Sequence, residues 1–98
     1  MNEAVRNLID IDRTIHEPAR LMIVAILSAV EEADFLYLLH SSGLTKGNLS
    51  SHLSRLEDAG YVQIEKTFAG KTPHTLCRLT DKGERALEEY RRQMKTVL

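Results

Sequence analysis

The sequence has one cysteine, two prolines and no long hydrophobic run. A single thiol, Cys77, cannot form an internal disulfide and offers no clustered metal site. The longest strongly apolar run, residues 21–27, is much shorter than the about 20 residues that cross a bilayer. No basic segment followed by an apolar one opens the chain, so we expect no secretory signal and a cytoplasmic protein.

The 98 residues allow one domain with one modest core, and the composition is that of a globular protein. The charges are distributed unevenly. Residues 1–45 carry three basic and seven acidic side chains, whereas residues 46–98 carry ten basic and seven acidic ones. Between Lys66 and Arg78 there are three cations and no anion. This asymmetry points to a polyanionic partner.

Apolar spacing predicts helices in the first half of the chain. A short amphipathic helix is expected over residues 3–13, and a second over residues 18–30, with a proline in its first turn. The second helix is apolar on every face, so we expect it to be buried all round, in a central position or by a partner subunit. After a break at residues 31–33, Asp34 caps a helix over residues 35–42.

The second half alternates helix, hairpin and helix. Thr45 caps a predicted helix over residues 46–59, in which leucines recur at positions 49, 53 and 56 as one apolar stripe. Apolar alternation on both sides of a glycine-containing turn predicts a β-hairpin over residues 61–79. Thr80 caps a last helix that continues to the C-terminus.

Two helices joined by residues 42–45 fit a helix-turn-helix, whose second helix enters the DNA major groove. Lys46 lies at the start of this helix, where a positive charge is unfavourable because it opposes the helix dipole. A cation at this position is instead suited to contact a DNA phosphate. Arg55, two turns on, can reach a guanine edge or a phosphate. The plain alternative is a solvated helix face. The hairpin tip, residues 66–74, has cations, hydroxyls and no acid, so it can follow the DNA backbone or enter the minor groove.

Residues 44–53 (LTKGNLSSHL) and 56–62 (LEDAGYV) resemble the recognition-helix signature of small prokaryotic winged-helix regulators of the MarR and ArsR types. Gly70, Pro73 and residues 79–83 are similar to the wing and the strand-to-helix junction of that family. The resemblance covers residues 18–90. It implies an α+β, mainly α, winged helix-turn-helix with added N- and C-terminal helices, acting as a homodimeric transcription regulator. By the family pattern, the side chains facing double-stranded DNA would be Lys46, Asn48, Ser50, Ser51, His52 and Arg55 of the recognition helix and Lys71, Thr72 and His74 of the wing.

We predict one winged-helix domain over residues 1–98, with an N-terminal helix in 1–16, the helix-turn-helix and wing in 17–80, and a dimerisation helix in 81–98. Two apolar stripes on the end helices predict the dimer interface: Leu8, Ile11, Ile15, Leu87, Tyr90, Met94 and Val97. The alternative is that these stripes fold back on their own domain. A symmetric dimer would read an inverted repeat, with its recognition helices about 34 Å apart.

The sequence departs from the family at residues 36, 37 and 39, where Leu, Tyr and Leu would leave apolar surface exposed. A protein-binding adaptor that uses this face is therefore the second function hypothesis. No catalytic constellation is present, so we do not expect an enzyme. The scattered histidines lack ligand-pair spacing, and we expect neither a metal nor another cofactor. Cys77 shares strand parity with Leu79 and is expected to be a small buried hydrophobe.

Overall fold

The computed structural model describes residues 2–98, which form five helices and a small three-stranded sheet. In chain order the elements are α1 (Glu3–Ile9), α2 (Pro18–Ser28), β1 (Ala33–Asp34), α3 (Phe35–Ser42), α4 (Lys46–Asp58), β2 (Val62–Ala69), β3 (Thr72–Leu79) and α5 (Asp81–Lys95). The predicted α+β, mainly helical class with end helices around a helix-turn-helix and a hairpin is confirmed.

Every helix begins with a side-chain cap, and three of these caps, those of α3, α4 and α5, are the ones that the sequence predicted. Asp34 accepts a hydrogen bond from the Tyr37 backbone N–H at 2.8 Å, which opens α3. Thr45 does the same for α4 through the Asn48 N–H at 3.2 Å. Thr80 opens α5 by a bond from the N–H of residue 83. All three caps were predicted, because an N-cap depends only on residues within one turn of it.

Strand β3 lies in the middle of the sheet, between β1 and β2. The hairpin register runs from Val62 opposite Leu79 to Ala69 opposite Thr72. Its two-residue turn begins with Gly70 at φ +64°, the sign that a type II′ hairpin requires at that position. β1 pairs antiparallel with β3 at the place where the sequence predicted only a break. Two residues carry no periodicity, so this strand exists only because β3 offers it an edge.

The main core lies between α2, the helix-turn-helix and the sheet. Its buried side chains are Ile23, Val24, Leu27, Ala33, Leu38, Leu49, Leu53, Leu56, Val62, Cys77 and Leu87. A smaller cluster joins the segment after α1 to α5. Leu21 and Tyr61 pack against both clusters. Apolar contacts thus connect the main core with the smaller cluster.

Two helices differ from their predicted extents. Helix α1 ends at Ile9 and not at residue 13, because Asp12 accepts hydrogen bonds from the N–H groups of Thr14 and Ile15 and so forms a local turn. Helix α2 ends at Ser28, and it is not buried on every face: Ala25 is exposed. Burial all round within the single chain is therefore not found, since the neighbouring elements leave part of α2 open to solvent, and burial by a partner subunit stays a prediction.

Four of the seven side chains predicted for a dimer interface lie inside the single chain. Ile11, Ile15 and Tyr90 form the smaller core cluster, and Leu87 belongs to the main core. For these four the structure shows the fold-back alternative, because the turn at Asp12 brings the N-terminal segment against α5. Leu8 is half exposed, while Met94 and Val97 retain partial exposure.

The molecule is elongated, with extents of 57 × 25 × 21 Å and a radius of gyration of 14.8 Å. A compact chain of this length would have a radius of gyration of about 13 Å. Within residues 2–98, no helix combines the length and the apolar character that a bilayer span needs.

Candidate nucleic-acid interface

Helix α4 separates its side chains into two faces. Leu49, Leu53 and Leu56 point into the main core and are at most 3% exposed. The opposite face is open to solvent and carries short polar or basic side chains: Lys46, Asn48, Ser50, Ser51, Ser54 and Arg55. The helix is amphipathic, so the core packing of the leucines fixes which side faces outward.

His52 lies at the edge of this outward face, and its side chain is only 22% exposed. Its Nδ1 is 3.2 Å from Nη1 of Arg20 and 3.8 Å from Oε2 of Glu17. A guanidinium can only donate, so Nδ1 of His52 is the acceptor. By the family resemblance His52 would face DNA; the structure places it against the N-terminus of α2.

Arg20 forms hydrogen bonds that link the segment before α2 to helix α4. Besides its contact with His52, its Nε donates to the carbonyl of Thr14 at 2.6 Å and its Nη2 to the carbonyl of Arg13 at 3.4 Å. Glu17 caps α2 by accepting from the N–H groups of residues 19 and 20. This cluster joins α2, the turn before it and α4.

Three arginines line a shallow surface hollow beside the C-terminal half of α4. Arg13 and Arg20 come from the segment before α2 and its first turn, and Arg55 comes from α4, with Asp58 as the acidic member of the lining. Sequence analysis selected only Arg55. It missed the other two because they lie outside the helix-turn-helix, in the acidic half of the chain.

The hairpin forms a protruding wing. Lys71 and Thr72 are exposed at its tip. His74 is half-buried, and its Nδ1 lies 4.0 Å from Oδ2 of Asp34, so it faces the start of α3. Phe68 shares strand parity with the core residue Val62, yet it is 69% exposed.

A groove runs between α4 and the wing. Ser50 and Ser54 line one side, and Lys66 and Thr75 line the other. The third cation of the acid-free stretch, Arg78, is already neutralised by ion pairs. Its guanidinium lies 2.8 Å from Glu32 and 3.3 Å from Glu65 on β2. The positive charge available at the wing is therefore that of its two lysines.

Two further titratable side chains, Cys77 and Tyr61, are held inside the fold. Burial, together with the charges of Glu57 and Asp34, raises the pKa of the Cys77 thiol to about 11. Cys77 is fully buried, as predicted. Burial and the hydrogen bond to Asp12 raise the pKa of Tyr61 to about 12. Among residues 2–98, no three His, Cys, Asp or Glu side chains come together as metal ligands would.

Comparison with known proteins places this geometry in a family. A curated relative, an uncharacterized protein of Methanocaldococcus jannaschii, is 37% identical over 71 residues, which are 72% of this chain and 77% of the relative. The solved structure of a transcriptional regulator homologue from Pyrococcus horikoshii matches with a TM-score of 0.88 at 29% identity, over 98% of this chain and 94% of that one.

Two more distant structures share the fold. A MarR-family transcriptional regulator from Silicibacter pomeroyi has a TM-score of 0.68 at 19% identity, over 96% of this chain and 62% of that one. PadR from Bacillus subtilis, solved in complex with operator DNA, has a TM-score of 0.67 at 17% identity, over 76% of this chain and 47% of that one. Residues 19–98 match the winged helix DNA-binding domain family. The predicted resemblance to small prokaryotic winged-helix regulators is confirmed, and the chain belongs to the winged helix DNA-binding domain family.

Proposed function

We propose that this protein is a transcription regulator that binds double-stranded DNA sequence-specifically as a symmetric homodimer, and is not an enzyme. Helix α4 would enter the major groove, and the wing, residues 66–74, would lie on the flanking backbone or in the minor groove. One observation carries the proposal: the leucine face of α4 is buried and its polar face is exposed beside a protruding wing. The PadR structure with operator DNA shows a protein of this fold bound to DNA.

The outward face of α4 suits close approach to a duplex. Asn48, Ser50 and Ser51 have short side chains, so the helix can lie deep in a major groove about 12 Å wide. Arg55 is long enough to reach a guanine edge or a phosphate. Lys46 and Lys71, at the start of α4 and at the wing tip, would contact phosphates and fix the register of the protein on the duplex. In the same proposal, Thr72 and His74 contact the backbone from the wing, and His52 holds α4 in position at the rim.

Exposed apolar surface at the α1 end supports the homodimer. Val5, Leu8 and Ile9 are 43–55% exposed on one short helix. A seven-residue helix is not stable alone. Only part of it is covered by α5, where Asn7 donates to the Thr96 hydroxyl at 2.9 Å. A second copy of the chain would cover the rest, together with the accessible parts of α5, including Met94 and Val97.

Analytical ultracentrifugation tests this interface. We expect a dimer for the native chain and a monomer for Leu8→Glu, because a carboxylate would be desolvated at the contact. Leu36→Glu is the matched control, since Leu36 is similarly exposed but lies on α3. A dimer that survives Leu8→Glu and is broken by Leu36→Glu would move the interface to α3.

Fluorescence anisotropy with labelled duplexes, first of random sequence and then enriched by selection, tests the DNA-binding function. With about four phosphates neutralised per subunit, log affinity should fall with log salt at a slope of roughly −7. Lys71→Ala should flatten this slope by about one unit, and Arg55→Ala should cost about 1–3 kcal/mol and relax one position of the site. Arg85→Ala removes the same charge from an exposed position in the first half of α5, away from α4, the wing and α1, and should leave binding unchanged.

The second candidate is a protein-binding adaptor, favoured by the exposure of Leu36 (55%) and Tyr37 (51%) on α3. It predicts no salt-sensitive duplex binding at micromolar protein. It also predicts a protein partner whose binding is lost in Leu36→Glu. Salt-sensitive binding that selects an inverted repeat would exclude the adaptor as the main function.

A further inference from the structure

Phe68, near the tip of the wing, is an aromatic side chain that lies outside both apolar clusters of the described residues. It is 69% exposed, and among the described residues only Leu98, at the chain end, exposes a larger fraction of a large apolar side chain. Aromatic side chains normally bury 150–250 Å². Leaving one in water at the end of a hairpin is unfavourable for the isolated protein, so an occupant that covers it is expected.

The register of the hairpin shows which way Phe68 faces. Alternate residues of a strand share a face, and Lys66, two residues earlier on β2, lines the groove next to α4. Phe68 continues that face one step further toward the tip. Its cross-strand partner is Pro73, so the pair forms a small apolar edge beyond the groove. The edge therefore lies on the same side of the wing as the recognition helix.

The charges around this edge identify the kind of occupant. Lys66 and Lys71 flank Phe68 along the hairpin and are exposed. No acidic residue occurs between positions 66 and 77 of the hairpin, and the acidic side chains beside it come from other elements: Glu57 lines the groove with Lys66, and Asp34 lines the hollow next to Pro73. An apolar protein surface would gain nothing from these lysines, whereas the minor groove of a duplex has apolar sugar walls and base edges between two rows of phosphates. Charge complementarity thus favours DNA at this edge.

We propose that Phe68 inserts as an apolar wedge between two base pairs in the minor groove next to the major groove that α4 occupies, with Pro73 packed beside it. The inference rests on the proposed DNA-binding function and adds a residue that the sequence did not select. Apolar side chains of this kind partly unstack a base step and bend the duplex toward the major groove. Pyrimidine–purine steps unstack most easily, so each half-site would prefer such a step at the position of the wing.

A tryptophan at position 68 tests the insertion directly. The chain has three tyrosines and no tryptophan, so Phe68→Trp introduces a single tryptophan at the wing, whose emission can be excited selectively at wavelengths that tyrosine does not absorb. The probe is the duplex recovered by selection with the native chain. We expect its fluorescence to be quenched on binding, because the indole stacks on bases, and the bound protein to resist quenching by acrylamide. Tyr37→Trp is the matched control, a half-exposed aromatic position on α3, and should keep its emission.

Affinity and DNA bending provide the second measurement. Phe68→Ala should weaken binding about 5- to 100-fold, as expected for loss of one base–aromatic stack. It should also reduce the bend measured by energy transfer between dyes at the two ends of the duplex. Phe68→Leu keeps an apolar wedge and should retain most of the bend. Lys71→Ala should weaken salt-sensitive binding and leave the bend intact.

The two proposals fail in different ways. If the native chain binds no duplex at low salt, both the regulator function and the wedge are overturned. If the native chain binds and selects DNA, but the emission of the Phe68→Trp variant is unchanged on binding and Phe68→Ala matches the native affinity and bend, only the wedge is overturned.

Discussion

Nη1 of Arg20 lies 3.2 Å from Nδ1 of His52, and this contact ties the first turn of α2 to the middle of the recognition helix. The same guanidinium holds the carbonyls of Thr14 and Arg13. The turn before α2 also packs on α5 through Ile15. One arginine therefore connects the proposed DNA-contacting helix with the segment that leads to the proposed dimer contact.

Replacing Arg20 by Ala should lower the free energy of unfolding by about 1–3 kcal/mol, because partly buried carbonyl groups lose their donor. DNA affinity should fall as well, since α4 loses a positioning contact. Urea unfolding and anisotropy titrations measure the two effects. Arg92→Ala is the control: its ion pairs are exposed, and its effect on stability should stay within about 0.5 kcal/mol. Equal effects of the two substitutions would contradict the role of Arg20.

Glu17 should make the fold sensitive to acid. Burial raises its pKa, but hydrogen bonds from the N–H groups of Arg20 and Ala19 and the nearby charge of Arg20 outweigh burial, so its pKa is lowered. The stabilisation is present at neutral pH and is lost as the pH falls through the lowered value. Glu17→Gln should therefore reduce stability at pH 7 and flatten its dependence on pH between about 5 and 3. Parallel stability curves for the native and variant chains would refute this.

Gly83 should tolerate no side chain. A Cβ there would lie 2.3 Å from the carbonyl oxygen of Tyr61 and 2.7 Å from Cδ1 of Leu79. Gly83→Ala must push α5 away from the sheet, which should cost about 1–3 kcal/mol, as overpacking does in a close-packed interior. Gly47→Ala is the matched control, because nothing lies within 4 Å of its added Cβ and Ala favours helix by up to about 1 kcal/mol. Thermal or urea unfolding measures the stability of the two variants. A Gly83→Ala variant as stable as Gly47→Ala would contradict the close contact.

Cys77 should react slowly in the folded chain. Burial raises its pKa to about 11, so at pH 8 the reactive thiolate is scarce and a disulfide reagent cannot reach the sulfur. Labelling by such a reagent should be slower than in urea-unfolded protein on the order of 100-fold or more. The raised pKa also means that the stability contributed by the neutral thiol is lost as the pH rises toward 11. Rapid labelling of the native chain would contradict the buried position.

The candidate site was largely predictable from sequence because its main elements are local. The caps at Asp34, Thr45 and Thr80 and the leucine stripe of α4 depend on residues within a few turns of one another. The turn at Gly70 likewise depends on one residue that accepts positive φ. The starts of α3, α4 and α5, the hairpin and the polar face of α4 were therefore predicted correctly.

Pairing between distant segments decided the rest. Strand β1 needs the edge of β3, and the burial of Ile15 depends on α5. Arg13 and Arg20 reach the recognition helix only because α2 packs beside α4. Phe68 has the strand parity of a core residue, and its exposure follows from how far the hairpin extends past α4. Sequence patterns of short range fix which residues form helices and turns, but the burial or exposure of a given side chain depends on neighbours that are distant in the chain.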